Sequence, residues 1–76
     1  MDTEKLLQNL RVITQEPHLQ ANSPLKSVKH WDSLAAVDFV ALLDADYSIT
    51  IAYDEMLACA TVGDLIRLAE HHAASG

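Results

Sequence analysis

Trp31-Asp32-Ser33-Leu34-Ala35-Ala36-Val37-Asp38-Phe39-Val40-Ala41-Leu42-Leu43-Asp44-Ala45-Asp46-Tyr47 is the stretch on which the fold turns. Within it Ala36, Phe39, Val40, Leu43 and Tyr47 recur at intervals of three and four, the spacing of a core-facing helical stripe. Asp32 stands where an N-cap is wanted, because its carboxylate can accept an otherwise unpaired N–H of the first turn. The pattern predicts a helix from Ser33 to Asp46. Leu34, Val37 and Ala41 form a second apolar row, so the helix carries more apolar surface than one core contact requires.

Upstream, Leu6, Leu10 and Ile13 lie at helical spacing with Leu7 beside them and Glu4 in the first turn, which predicts a helix over 3–15 ending before Pro17. Residues 16–31 contain Pro17, Asn22, Ser23 and Pro24 and read as a long loop, pinned to the core by Leu19, Leu25 and Val28. A loop of that length in so small a domain points to function. Downstream, Tyr47, Ile49 and Ile51 alternate with Ser48 and Thr50. That is strand periodicity without a partner strand, so an extended connector is expected. Asp54, Glu55, Met56, Leu57 and Cys59 suit a short third helix over 53–59. Thr61-Val62-Gly63-Asp64 is a capping-box variant with aspartate in place of glutamate, ahead of Val62, Leu65, Ile66, Ala69 and Ala73 in a last helix that frays near His72. The expected architecture is an all-α four-helix bundle, with three longer helices, a short third one and a long first loop, in a single domain spanning 1–76.

Composition bounds the function. The chain has 76 residues, half of them hydrophobic, with two Gly and two Pro, which favours a small helical globule with little room for a deep catalytic cleft. No apolar run reaches the length of a membrane span, and the first residues lack the basic-then-apolar layout of a signal peptide. With one cysteine, Cys59, a disulfide framework is excluded, and a cytoplasmic monomer is expected. The formal charge of −6 is unevenly placed. Between Lys29 and Arg67 there is no Lys or Arg, while Asp32, Asp38, Asp44, Asp46, Asp54, Glu55 and Asp64 all fall there. A serine at the leading edge of an acidic region suggests a modified side chain read by basic partners. Nucleic acid would be repelled, adjacent His71 and His72 diverge on a helix, and no Cys/His cluster has zinc spacing, so no metal is expected.

Taken alone, Ser33 is a serine favoured near a helix start. As a hydrolase nucleophile it would need His30 as base and a third orienting group, and the chain offers no evident third member. Its surroundings, however, resemble the acyl carrier protein family. Asp32-Ser33-Leu34 is similar to that family's attachment motif; Val37-Asp38 and Leu43 match its second helix; Ile49-x-Ile51 resembles its following connector; Thr61-Val62-Gly63-Asp64 is similar to the start of its last helix. The resemblance covers about Trp31 to Leu68 and, more loosely, the first helix. It implies that Ser33 is esterified with 4′-phosphopantetheine, donated from coenzyme A by a separate phosphopantetheinyl transferase. Acyl groups would then ride as thioesters on the cofactor, and the protein would be a carrier with no catalytic residue of its own. Asp32 and Leu34 flank the cofactor-binding serine, with Asp32 assigned to capping and to recognition by the modifying enzyme.

The resemblance also implies partners: loading, elongating or transferring enzymes of a fatty-acid, polyketide or related specialised pathway, with basic docking patches. Trp31, Leu34, Val37, Asp38, Ala41, Asp44 and Met56 are the candidate contact residues, apolar at the centre and acidic around it. Chains folded back into the domain would lie between the second and third helices, with Val40, Leu43, Tyr47, Ile51, Met56, Cys59 and Leu65 as candidate lining; each is more simply a core position. The sequence departs from common fatty-acid carriers at Ala35, Ala36 and Ala45, which thin the acidic surface, and at His30-Trp31. A tryptophan before the motif resembles D-alanyl carrier proteins, so an aminoacyl or peptidyl carrier is the alternative. An unmodified helical interaction module is a third reading.

Overall fold

The first helix, α1, spans Thr3–Thr14 because Asp2 caps it: the Lys5 N–H donates to Asp2 Oδ1 at 3.1 Å, with Glu4 in the first turn. The computed structural model describes residues 1–75. Leu6, Leu7 and Leu10 turn inward, and the buried Thr14 hydroxyl donates to the Leu10 carbonyl at 2.7 Å, leaving no unpaired polar group there. Gln15 then adopts φ 57°, a left-handed residue that closes the last turn by donating its N–H to the Arg11 and Val12 carbonyls.

The long loop is held at several points. Leu19, Leu25 and Val28 are buried, as their apolar character predicts, and a short 3-10 helix covers Leu25–Ser27. The loop pairs with the start of the last helix through an isolated antiparallel bridge between Pro24 and Thr61. Around it Leu25 N–H donates to Ala60 O at 2.9 Å, Val62 N–H to Ser23 O at 3.0 Å and Gly63 N–H to Ala21 O at 2.6 Å. That last contact explains the glycine. A Cβ on Gly63 would sit 3.0 Å from the Ala21 carbonyl oxygen, closer than side-chain carbons normally approach backbone.

The second helix, α2, runs Ser33–Tyr47, one residue beyond the sequence expectation, and ends at Ser48, whose left-handed φ of 56° lets its N–H reach the Leu43 carbonyl. It buries Ala35, Ala36, Phe39 and Leu43. The connector forms neither helix nor strand, with Ile49 and Ile51 buried and Thr50 exposed. The third helix, α3, covers Tyr53–Leu57, shorter than the sequence suggests, because Cys59 N–H turns back onto the Met56 carbonyl at 3.0 Å.

The capping pattern at 61–64 forms α4, Val62–Ser75. Asp64 N–H donates to Thr61 Oγ1 at 3.2 Å, while Asp64 Oδ2 accepts from Thr61 N–H at 3.1 Å and Ala60 N–H at 3.0 Å. The helix continues past His72, where the sequence suggests fraying, to Ser75, and His72 Nε2 lies 2.9 Å from Glu55 Oε2, tying the last turns of α4 to α3. Leu6, Leu10, Phe39, Leu43 and Leu65 form the centre of the core. Among the described residues the fold is all-α, a four-helix bundle with a short third helix.

Candidate functional site

Ser33 is the first residue of α2, and its position follows from the cap before it. Asp32 is extended, its Oδ1 accepts the Ala35 N–H at 2.9 Å, and its carbonyl accepts the Ala36 N–H at 3.0 Å. The N–H groups of Ser33 and Leu34 have no acceptor among the described residues, and the Ser33 hydroxyl is exposed without a hydrogen bond there. Open donors at a helix start favour an anion. His30 is exposed and makes no hydrogen bond to Ser33 among the described residues.

Beside Ser33 lies a cavity of about 320 Å³. The 3-10 helix contributes Leu25 and Lys26, the loop and α2 contribute Trp31, Asp32, Ser33 and Ala36, and the far wall is Tyr53, Met56, Leu57 and Cys59. Its size is at the lower end of the range of roughly 300–1,000 Å³ for small-molecule sites. Trp31 is half-buried and packs edge-on against Phe39, ring centres 6.3 Å apart and planes at 71°. Burial pushes the Cys59 thiol up, with the nearby Asp64 charge acting the same way. It therefore stays protonated at neutral pH, with its Sγ 3.6 Å from the Glu55 carbonyl.

A family model described as the phosphopantetheine attachment site matches residues 4–69. The chain belongs to that family. Its prosthetic group is 4′-phosphopantetheine, and its role is that of a carrier. Among solved structures the carrier is similar to a holo acyl carrier protein from Geobacter metallireducens determined in solution by NMR. The TM-score is 0.77 at 24% identity, over 96% of this chain and 86% of that one, which establishes the acyl-carrier fold. Comparison with curated proteins finds no match. The donor set at the start of α2 fits the group: a free hydroxyl to carry the phosphodiester and open backbone N–H groups to face its charge.

The remaining candidate residues of the carrier separate into two surroundings. Leu34 and Val37, 71% and 56% exposed, share the outer side of α2 with exposed Asp38, Ala41 and Asp44. Met56 is buried and lines the cavity with Cys59. Leu43, Ile51 and Leu65 are packed in the core, and Val40 and Tyr47 are half-buried against it; none of these five borders the cavity next to Ser33. Lys26 and Tyr53 border it although the sequence does not flag them, since no local periodicity links the loop to the start of α3. Among the described residues no helix is long and apolar enough to cross a membrane, and no group of three acidic, His or Cys side chains is placed to hold a metal.

Charge partners outside this region are structural. Glu55 is held below its ordinary carboxylate range by its hydrogen bond with His72 and then by the Ala52 N–H, which donates to Oε1 at 3.1 Å. Asp64 is lowered by the backbone donors Ala60 and Thr61 and by its salt bridge with Arg67.

Proposed function

We propose that residues 1–76 act as one discrete acyl carrier domain, carrying acyl intermediates as thioesters on 4′-phosphopantetheine attached to Ser33. The observation that supports Ser33 is its exposed hydroxyl at the capped start of α2, within a family match that spans it. In the loading step a phosphopantetheinyl transferase moves the group from coenzyme A. The Oγ–P bond forms as the pyrophosphate bond breaks, the serine proton leaves to a base, and the bisphosphorylated adenosine departs.

The chain's own residues then have three tasks. Asp32 holds the helix start and presents a carboxylate to the modifying enzyme, where a cation can bridge it and the incoming phosphate. Leu34, Val37 and Ala41, with Asp38 and Asp44 beside them, give basic partner enzymes an apolar centre with acidic flanks, which speeds and orients encounter. Trp31 walls the cavity next to the arm. The partners are enzymes of a fatty-acid, polyketide or related specialised pathway, met by a cytoplasmic monomer. The half-buried Trp31 favours a second reading, an aminoacyl or D-alanyl-type carrier. Loading by an adenylating enzyme separates that reading from the first. Of the alanines expected to thin the acidic surface, only Ala45 is exposed; Ala35 and Ala36 face the core and leave that surface unchanged.

The test of attachment is intact mass after incubation with coenzyme A and a broad-specificity transferase. One phosphopantetheine increment on the parent and none on Ser33→Ala is the expected result. An increment that survives the mutation removes Ser33, and no increment on either leaves an unmodified interaction module.

A further inference from the structure

Lys26 is the cation that the structure places at the cavity beside Ser33. From Lys29 to Arg67 the chain has no Lys or Arg, and of Lys26, Lys29 and His30, the basic side chains just before α2, Lys26 alone borders the cavity. It is exposed and makes no ion pair among the described residues. Its position is fixed by its neighbours and not by its own charge. Leu25 and Val28 on either side are buried, and the Leu25 N–H is bonded to Ala60, so the 3-10 helix presents Lys26 outward at the cavity rim.

A phosphodiester on Ser33 would lie next to Asp32, whose carboxylate is committed to capping Ala35 and cannot turn away without uncapping α2. That arrangement leaves a negative pair needing a counter-charge. We infer that Lys26 is that counter-charge: a positioning residue that pairs with the phosphodiester and turns the prosthetic arm into the cavity, between Trp31 on one side and Tyr53 on the other. The inference rests on attachment at Ser33 and adds to it where the arm is held and by what. The cavity's chemistry suits such a guest. Trp31, Met56 and Leu57 offer apolar wall, while Lys26 and Asp32 are the charged residues that line the same cavity as Ser33.

An exposed ion pair of this kind changes a docked-to-free ratio roughly two- to fivefold and is screened by salt. The experiment compares amide and Trp31 indole NMR shifts between apo and holo protein, for the parent, Lys26→Gln, Lys26→Arg and Lys29→Gln. In the parent, shift differences extend beyond the start of α2 to Trp31 and to Tyr53 and Cys59. They shrink in Lys26→Gln, by as much as that factor where the docked fraction is small and by less where it is large, and they shrink likewise in the parent at about 1 M sodium chloride, where the Debye length is about 3 Å. They persist in Lys26→Arg and Lys29→Gln. Differences confined to the neighbours of Ser33 overturn the docked arm, and differences unchanged by Lys26→Gln or by salt overturn the pairing. The salt series uses unmutated protein, so a folding defect in a variant does not decide the matter. Absence of the mass increment itself, by contrast, overturns attachment and not Lys26.

Discussion

Asp32 carries two roles that a pair of substitutions separates. Its Oδ1 accepts the Ala35 N–H at 2.9 Å, an N-cap bond at the start of the longest helix. Asparagine offers the same acceptor geometry without charge and ranks beside aspartate as a cap, whereas alanine removes the acceptor and costs about 1 kcal/mol. For a domain of this size about 1 kcal/mol corresponds to a fall of roughly 4–8 °C in Tm. Apo Asp32→Ala should therefore melt about 4–8 °C below the parent, while the loss of charge near the helix dipole holds Asp32→Asn to a fall of roughly half that or less. Thermal unfolding followed by far-ultraviolet circular dichroism reads this, alongside kcat/KM for transfer of phosphopantetheine. If the carboxylate also serves recognition, Asp32→Asn loses modification rate while keeping most of its Tm. An asparagine variant that melts as low as the alanine variant refutes the capping argument. One that is modified as fast as the parent removes the charge from recognition.

Four further outcomes follow from the packing and the charges. Phe39→Ala empties a fully buried position at the centre of the core and should cost about 3–5 kcal/mol, read as a urea midpoint; a loss below about 1 kcal/mol would mean the core refills. Gly63→Ala gains up to about 1 kcal/mol of helix propensity but places a Cβ against the Ala21 carbonyl, so the variant should be no more stable than the parent, and a clear rise in urea midpoint contradicts the close approach. Glu55 and Asp64 have lowered folded pKa values, so each adds stability that is present above its unfolded pKa and is lost as pH falls through the folded one. Urea midpoints taken from neutral pH into the acid range should decline there, and Glu55→Gln should flatten its share of the decline; an unchanged acid profile rejects the His72 tie. Asp38→Lys with Asp44→Lys should slow partner turnover at low salt without lowering Tm, because a lysine at position 44 replaces an unfavourable carboxylate near the helix's negative end, and unchanged partner kinetics take both residues out of the interface.

The bundle was legible because periodicity and caps agree. The stripe from Ala36 to Tyr47, the Asp32 cap and the reciprocal Thr61–Asp64 bonds each say locally what the packing requires. Two boundaries were not legible, since they depend on contacts between distant segments. The length of α3 is set by a backbone turn at Cys59, and α4 continues past His72, where a contact with Glu55 across 17 positions ties it to α3. The same limit applies to the cavity. Ser33 stands out from the sequence because its neighbours in the chain mark it, but the wall opposite comes from the 3-10 helix and α3. The bridge of Pro24 to Thr61 and the bonds around it, which fix the loop against the start of α4, together with the burial of Leu25 and Val28, bring Lys26 to that place.

The surface of α2 is hard to explain by folding alone. Leu34 and Val37 are exposed, although turning them inward would remove apolar area from water at about 25 cal/mol per Å². Asp44 and Asp46 lie in the last turns with no basic residue there, where the helix dipole makes each carboxylate unfavourable by about 0.3–1 kcal/mol. Both costs fall on the helix that begins at Ser33, on residues that stand exposed. A helix chosen for stability would place polar residues where Leu34 and Val37 stand and a lysine near Asp46. What this helix offers in exchange is an apolar strip with acidic flanks, running away from the serine along the path a partner would cover while reaching it. That coincidence of cost and position is the physical support for docking along α2, and it ties the partner surface to the serine through one rigid element.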